Sequence, residues 1–155
     1  MESKKQVNFA ESFIEIYTDG SSLGNPGKGG WAYIIVENDA IISEKYGNSK
    51  RSTNNEMELT AAIEACKAAK RLAAIVYIYT DSTYVKQGIT AWIDNWKRNG
   101  WKTAKGQTVK NKDLWKELDQ AREGQSIVWK WIAAHSGHQY NETVDNLARK
   151  AATVA

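Results

Sequence analysis

Two short segments of this 155-residue chain repeat one another. Ile16-Tyr17-Thr18-Asp19 recurs as Ile78-Tyr79-Thr80-Asp81, each closing a run of β-branched and aromatic residues and each followed within two residues by serine. If the two runs are neighbouring parallel strands, equivalent positions lie about 4.8 Å apart. The two aspartates then project side by side from one sheet edge, where ligand sites of such sheets lie. An aspartate after a strand also serves as a turn or cap residue, so the repeat alone is only a pointer. Two further acids can reach that edge. Glu58 stands early in a helix that opens at Thr53, and Asp145 stands near the start of the last helix, where the helix dipole by itself favours an acid. Four carboxylates drawn together raise one another's pKa and imply a cation. The donors are all oxygen, with no cysteine or histidine pair at zinc spacing, which suits Mg²⁺ with Mn²⁺ as the alternative. Two such ions about 4 Å apart can activate an attacking water and stabilise the leaving oxygen of a displacement at phosphate.

The charge distribution points to the same chemistry. The chain carries 21 basic and 18 acidic residues, net +3. Residues 82–112 hold seven of the basic ones (Lys86, Lys97, Arg98, Lys102, Lys105, Lys110, Lys112) against Asp94 alone, so this stretch is +6 and the remainder −3. Trp92, Trp96 and Trp101 lie in it. Basic residues interleaved with aromatics compose a surface that grips a phosphate backbone, although an amphipathic helix with a solvated charged face has the same composition. Beside a carboxylate cluster, the segment suggests phosphodiester hydrolysis in nucleic acid. The bulk composition, 42% apolar and 25% charged, is that of a globular domain and excludes collagen-like, disordered and coiled-coil chains. No apolar run approaches the ~20 residues of a membrane span. Residues 1–12 lack the apolar core of a secretory leader and are expected to form a short, flexible extension. The single thiol, Cys66, excludes an internal disulfide framework and fits a reducing cytoplasm.

The elements that must position these residues follow from pattern. Strands are expected over 13–18, 31–36 and 41–46, with a turn-rich connection through Gly24-Asn25-Pro26-Gly27 and Gly29-Gly30, and a hairpin link over 37–40. Thr53 and Glu56 have capping-box spacing, and Leu59, Ala62, Ile63, Cys66 and Ala69 then form one helical stripe. A strand follows over 75–80, then short helices over 82–88 and 91–97 with a break at Asn99-Gly100. Asn111 is placed to cap a helix facing inward through Leu114, Trp115, Leu118 and Ala121. A strand over 126–133, a Gly-containing loop over 135–140 and a helix over 141–152, facing inward through Val144, Leu147 and Ala151, complete the chain. Strands joined through helices run parallel. The expected fold is therefore α/β, a single mixed five-stranded sheet of three antiparallel strands plus two parallel ones, flanked by helices.

The motifs together resemble type 1 ribonuclease H. They are Tyr17-Thr18-Asp19-Gly20-Ser21 with Gly24-Asn25-Pro26-Gly27, Thr53-Asn54-Asn55-Glu56-Met57-Glu58-Leu59, Thr80-Asp81-Ser82, and His135-Ser136-Gly137-His138 with Asn141-Glu142 and Asp145. Each is weak alone and all of them in this order are specific. The resemblance spans about residues 13–152 and is closest to the bacterial branch, whose basic protrusion is similar to residues 91–111. It implies a ribonuclease H-like domain over 13–155 that includes this protrusion. It further implies an endonuclease that cuts the RNA strand of an RNA–DNA hybrid, with two Mg²⁺ ions when substrate is bound, leaving 5′-phosphate and 3′-hydroxyl ends. A cytoplasmic monomer without membrane contact is expected.

Carried across by position, the resemblance makes Asp19, Glu58, Asp81 and Asp145 the metal-binding, catalytic acids and His135 a loop histidine for proton transfer or product release. His138 is read as structural, and Glu142 as either an acid near the metal or a response to the helix dipole. Asn25, Asn54 and Asn55 match polar positions that meet the substrate in the minor groove, where the 2′-hydroxyl marks RNA. Thr53 is expected at a phosphate of the DNA strand. Trp92, Lys97, Arg98, Trp101 and Lys102 are expected to contact the DNA strand through stacking and charge, with Trp96 in the core of the protrusion. Glu56 departs from the pattern, which commonly has a basic residue there. Its charge opposes a nearby phosphate, while its place in the capping box supports the helix start. Two other readings share these residues: a hybrid- or duplex-binding module without turnover, and a metal-dependent DNA nuclease or recombination enzyme.

Overall fold

The computed structural model describes residues 13–72 and 75–155; the extension expected over residues 1–12 lies outside the described residues. β1 (Phe13–Ser22), β2 (Gly27–Glu37) and β3 (Ala40–Ser52) form an antiparallel meander. β4 (Ile75–Thr80) pairs in parallel with β1 on one side and with β5 (Ile127–Trp131) on the other, giving one sheet of order β3-β2-β1-β4-β5. This is the mixed five-stranded sheet expected from the sequence. The β2–β3 hairpin closes on Asn38 and Asp39, both in the left-handed region (φ 53° and 60°), the geometry that matches strand twist in two-residue loops.

Alternation along the strands divides the sheet into two faces. Ile14, Ile16, Val76 and Ile78 face α1 (Asn54–Ala69) and α4 (Lys112–Arg122), burying Leu59, Ile63, Trp115 and Leu118 in the main core. Tyr17, Ile34 and Val36 face the other way, against Val144 and Ala148 of α5 (Gln139–Thr153). Burial of one such aliphatic side chain contributes roughly 1.5–3 kcal/mol.

Several local expectations are corrected. β1 does not stop at Thr18. Its ladder with β4 ends at Tyr17↔Tyr79, but its ladder with β2 continues to Ser22↔Gly29. Gly29 and Gly30 accordingly belong to β2, paired on both sides, and not to a connection. The two short helices expected over 82–88 and 91–97 form one continuous helical run: α2 (Thr83–Gln87), a π turn over Gly88–Trp92, and α3 (Ile93–Arg98). Gly88 lies flat against the Trp115 ring, where a Cβ would come within 1.9 Å of it. The run therefore packs under α4 without the gap at 89–90 that two separate helices implied, and it ends at the expected break, Asn99-Gly100. Asn111 precedes α4 with φ 60° but does not cap it; its amide donates instead to the Tyr84 hydroxyl at 3.1 Å.

Candidate active site

The sheet register brings the two repeated aspartates together. Ile16 pairs with Ile78 and Tyr17 with Tyr79, so Asp19 and Asp81 hold equivalent positions just past the end of the β1–β4 ladder. Thr18 Oγ1 donates to the Tyr79 carbonyl at 2.8 Å, which ties the two strands together at that point. The chain then turns sharply after Asp81. The Ser82 amide donates to Thr80 Oγ1 (3.0 Å), and Ser82 Oγ accepts from the Val85 amide (3.1 Å) to cap α2.

Glu58 arrives from α1. The reciprocal capping box is formed: Thr53 Oγ1 accepts from the Glu56 amide at 3.1 Å, and Glu56 Oε1 accepts from the Thr53 amide at 2.8 Å. The start of α1 lies directly on β1, because a Cβ at Gly20 would stand 2.3 Å from the Glu58 nitrogen. Only a glycine beside Asp19 permits that approach.

One ligand oxygen from each of Asp19, Glu58 and Asp81 lies within 4.8 Å of the others. Asp19 is 3% exposed, and its Oδ1 accepts from the Gly20 amide at 2.9 Å. Glu58 Oε1 is buried with no hydrogen-bond partner. Among the described residues, no lysine or arginine pairs with any of the three. Burial first, then the Asp81 and Asp145 carboxylates, push the Asp19 carboxyl up to about 9. Glu58 is raised well above its ordinary value by burial and by Asp19 and Asp81, and Asp81 is raised chiefly by burial. Asp145 lines the same depression from α5 but stands outside the tight trio, its carboxylate 3.0 Å from Arg149.

Around the acids lie Asn54, Asn55, Thr83, Tyr84 and Ala134. Asn54 Oδ1 accepts from the Ser22 amide (2.8 Å) and hydroxyl (3.0 Å), and Asn25 Oδ1 accepts from the Asn54 amide (3.0 Å). Both side-chain oxygens are thus spent inside the protein, leaving the NH₂ groups as the donors able to meet a ligand. His135 is exposed and follows Ala134 with φ 54°. His138 sits at the start of α5 with its ring 5.3 Å from Tyr17 and its Nδ1 buried without a partner. Glu142 is exposed in the first turn of α5.

The basic, tryptophan-rich stretch is built on an aromatic chain. Trp92 lies 5.7 Å from Trp96, which in turn lies 6.2 Å from Trp101 and 5.4 Å from Trp115. Trp96 packs on the core. Lys97 is turned toward α4, 3.0 Å from Asp119, which Arg122 also contacts at 2.9 Å. Burial alone would raise the Asp119 carboxyl, but Lys97 and Arg122 hold it below its ordinary value. Arg98 hydrogen-bonds Asn95, and Lys102 is exposed beside a single bridge to Thr108.

Gly20 and Tyr84 were not singled out from the sequence. Tyr84 lines the acid depression, and its hydroxyl accepts from Trp115 Nε1 (2.9 Å) and Asn111 (3.1 Å). It thereby links the site to the base of the protrusion. Its place in the first turn of the helix after Asp81 was the available signal.

Residues 11–153 match the RNase H family model. The chain is 54% identical over 138 residues to a ribonuclease H of Wolbachia sp. subsp. Drosophila simulans (strain wRi), covering 89% of this chain and 94% of that protein. It superposes on LC9-RNase H1, a type 1 RNase H with the type 2 active-site motif, at TM-score 0.82 and 32% identity, covering 92% of this chain and 73% of that one. The foamy viral protease-reverse transcriptase, solved in complex with RNA/DNA hybrid, shares the fold at TM-score 0.84 and 23% identity, over 94% of this chain and 20% of that one. The matched span contains the whole sheet and every acid of the cluster: the chain belongs to the ribonuclease H family, metal-dependent hydrolases of the RNA strand in RNA–DNA hybrids.

Proposed function

We propose that this chain hydrolyses the RNA strand of RNA–DNA hybrids at the Asp19–Glu58–Asp81 cluster, with Asp145 as the fourth acid, leaving 5′-phosphate and 3′-hydroxyl ends. One observation carries the residue assignment: three carboxylates with no basic partner among the described residues converge within 4.8 Å, one oxygen of Glu58 being buried without any donor. Groups so placed repel one another unless a cation lies between them. An all-oxygen donor set fits Mg²⁺, with Mn²⁺ as the alternative. Held by these acids, such ions would activate the attacking water and neutralise charge at the leaving 3′-oxygen.

The chain's own residues supply the rest. The Gly20 amide and the start of α1 fix Asp19 and Glu58, so the acids need no rearrangement when substrate arrives. The NH₂ groups of Asn25, Asn54 and Asn55 meet base edges and 2′-hydroxyls in the minor groove, which selects RNA over DNA at the cut strand. Thr53 meets a phosphate of the DNA strand through its hydroxyl, since its amide is taken by Glu56. His135 moves a proton at the leaving oxygen or at the departing product from its exposed position. Trp92, Trp101, Arg98 and Lys102 contact the DNA strand, with Lys97 sharing its charge with Asp119. We read residues 13–155 as one domain, supported by the single five-stranded sheet, acting as a monomer in the cytoplasm. Among the described residues no helix is long and apolar enough to cross a membrane.

Neutralising Arg98 and Lys102 together is expected to raise KM and flatten its salt dependence while changing kcat little, because those side chains meet phosphates remote from the cut. Steady-state rates at several salt concentrations measure this. Lys97→Gln is expected to give the smaller change in KM and a loss of up to about 1 kcal/mol in stability, through its half-exposed pair with Asp119. The function itself is tested on gels with end-labelled hybrid, duplex RNA and duplex DNA side by side. The expected result is cleavage of the hybrid's RNA strand with Mg²⁺ and none with chelator. A hybrid left whole in both Mg²⁺ and Mn²⁺ overturns the proposal in favour of a binding module. Duplex DNA cut as fast as hybrid overturns it in favour of a DNA nuclease.

A further inference from the structure

The row of side chains at the carboxyl edge of the sheet continues beyond the acids. Thr80 and Trp131 are partners in the β4–β5 ladder, so the edge that carries Asp19 and Asp81 runs on to Trp131, the last residue of β5. The Trp131 indole donates to the Asp81 carbonyl at 3.3 Å, yet the side chain is left 43% exposed. Lys86, on α2, places its ammonium 5.7 Å from the centre of that ring. Lys86 is exposed and has no carboxylate partner among the described residues. It belongs to the basic stretch but lies on the acid side of the π turn, outside the protrusion.

An aromatic face with an ammonium beside it also occurs at Tyr77 and Lys130, but of the two only the Trp131 pair lies on the edge that carries the acids. There the pair suits a polynucleotide: the ring accepts a base or sugar, and the ammonium meets a phosphate. Asn54 and Asn55, from α1, lie beside Asp19 and Glu58, whereas Trp131 extends the edge from Asp81 in the opposite direction. A strand cut at the acids and held at Asn54 and Asn55 on one side therefore leaves over Trp131 on the other.

We propose that Trp131 and Lys86 form a contact for the nucleic-acid strand as it continues past the scissile phosphate, on the side of the acids away from Asn54 and Asn55. This rests on the ribonuclease reading above. The positive charge and the continuity with the acid cluster favour a nucleic-acid occupant over an apolar protein segment.

The test uses two hybrids that share one short cleavable RNA stretch. One is extended only on the 5′ side of the cut and the other only on the 3′ side. Lys86→Gln and Trp131→Ala are each expected to change the ratio of the two KM values roughly three- to tenfold, both in the same direction. For Lys86→Gln, the salt slope of kcat/KM on the more affected hybrid becomes shallower by about one. Lys86 is exposed, so Lys86→Gln keeps the proposal testable if Trp131→Ala does not fold. Wild-type protein that leaves both hybrids whole overturns the ribonuclease reading and this inference with it. Wild-type protein that cuts both, with KM ratios in both variants equal to its own, overturns this inference alone.

Discussion

Asp19→Asn is expected to lower kcat by roughly a thousandfold or more, while leaving the metal-free protein as stable as the wild type or more so. The two halves of that result come from one arrangement. Asp19 is 3% exposed beside two other acids, so its charge is useful only to a cation and is otherwise a burden on the fold. The sign follows from linkage. Its carboxyl is pushed up to about 9, from an ordinary value of 3.8, by burial and then by Asp81 and Asp145. Between those values the folded chain holds a proton that the unfolded chain has released. Stability in chelator must therefore fall as pH climbs from about 4 toward 9, and the asparagine removes Asp19's share of that slope. Urea midpoints in EDTA at pH 5 and pH 8 measure it for both proteins. Clear destabilisation of the variant at pH 8 would mark Asp19 as structural.

Gly20→Ala is expected to lose about 1–3 kcal/mol of stability and to lower kcat by roughly a hundredfold, although it alters no acid. The added Cβ would meet Glu58 nitrogen and Met57 carbonyl carbon, each at 2.3 Å. Both are backbone atoms, so no side chain can rotate away. The start of α1 has to lift from β1, carrying Glu58 off the other two acids. Thr53 and Glu56 move with the helix, so the capping box survives and the helix itself persists. Steady-state kinetics with a denaturation curve separate the two effects. A variant with unchanged kcat would show that the seat of α1 on β1 does not set the acid geometry.

The parts of this molecule legible in its sequence are those with local causes. The Ile-Tyr-Thr-Asp repeat announced two strands in matching register, and Asp19 and Asp81 do hold equivalent positions. Thr53 and Glu56 announced a helix start that forms as a reciprocal box, and Trp96, expected in the core of the protrusion, packs partly buried against the main core beside Trp92, Trp101 and Trp115. What the sequence hid depends on partners far along the chain. β1 runs on to Ser22, and Gly29 and Gly30 become strand, because β2 and β3 supply ladders that no window of β1 or of the glycines contains. Asn111 has a capping residue's type and position, but the Tyr84 hydroxyl outcompetes the helix for its amide. Lys97 carries the charge of a phosphate contact but finds Asp119 first. Gly20 stood in the sequence only as one member of a motif, and only the packed helix reveals it as the clearance that lets Glu58 reach Asp19.

The most direct measurement is paramagnetic broadening of backbone amide resonances as Mn²⁺ is added to substrate-free protein. Losses are expected to centre on Gly20, Glu58, Asp81 and Asp145, to be reversed by excess Mg²⁺, and to be largely absent from the β2–β3 hairpin at Asn38 and Asp39. Broadening that centres elsewhere, or that leaves Gly20 and Glu58 sharp while other surface acids respond, would contradict a metal site at these acids.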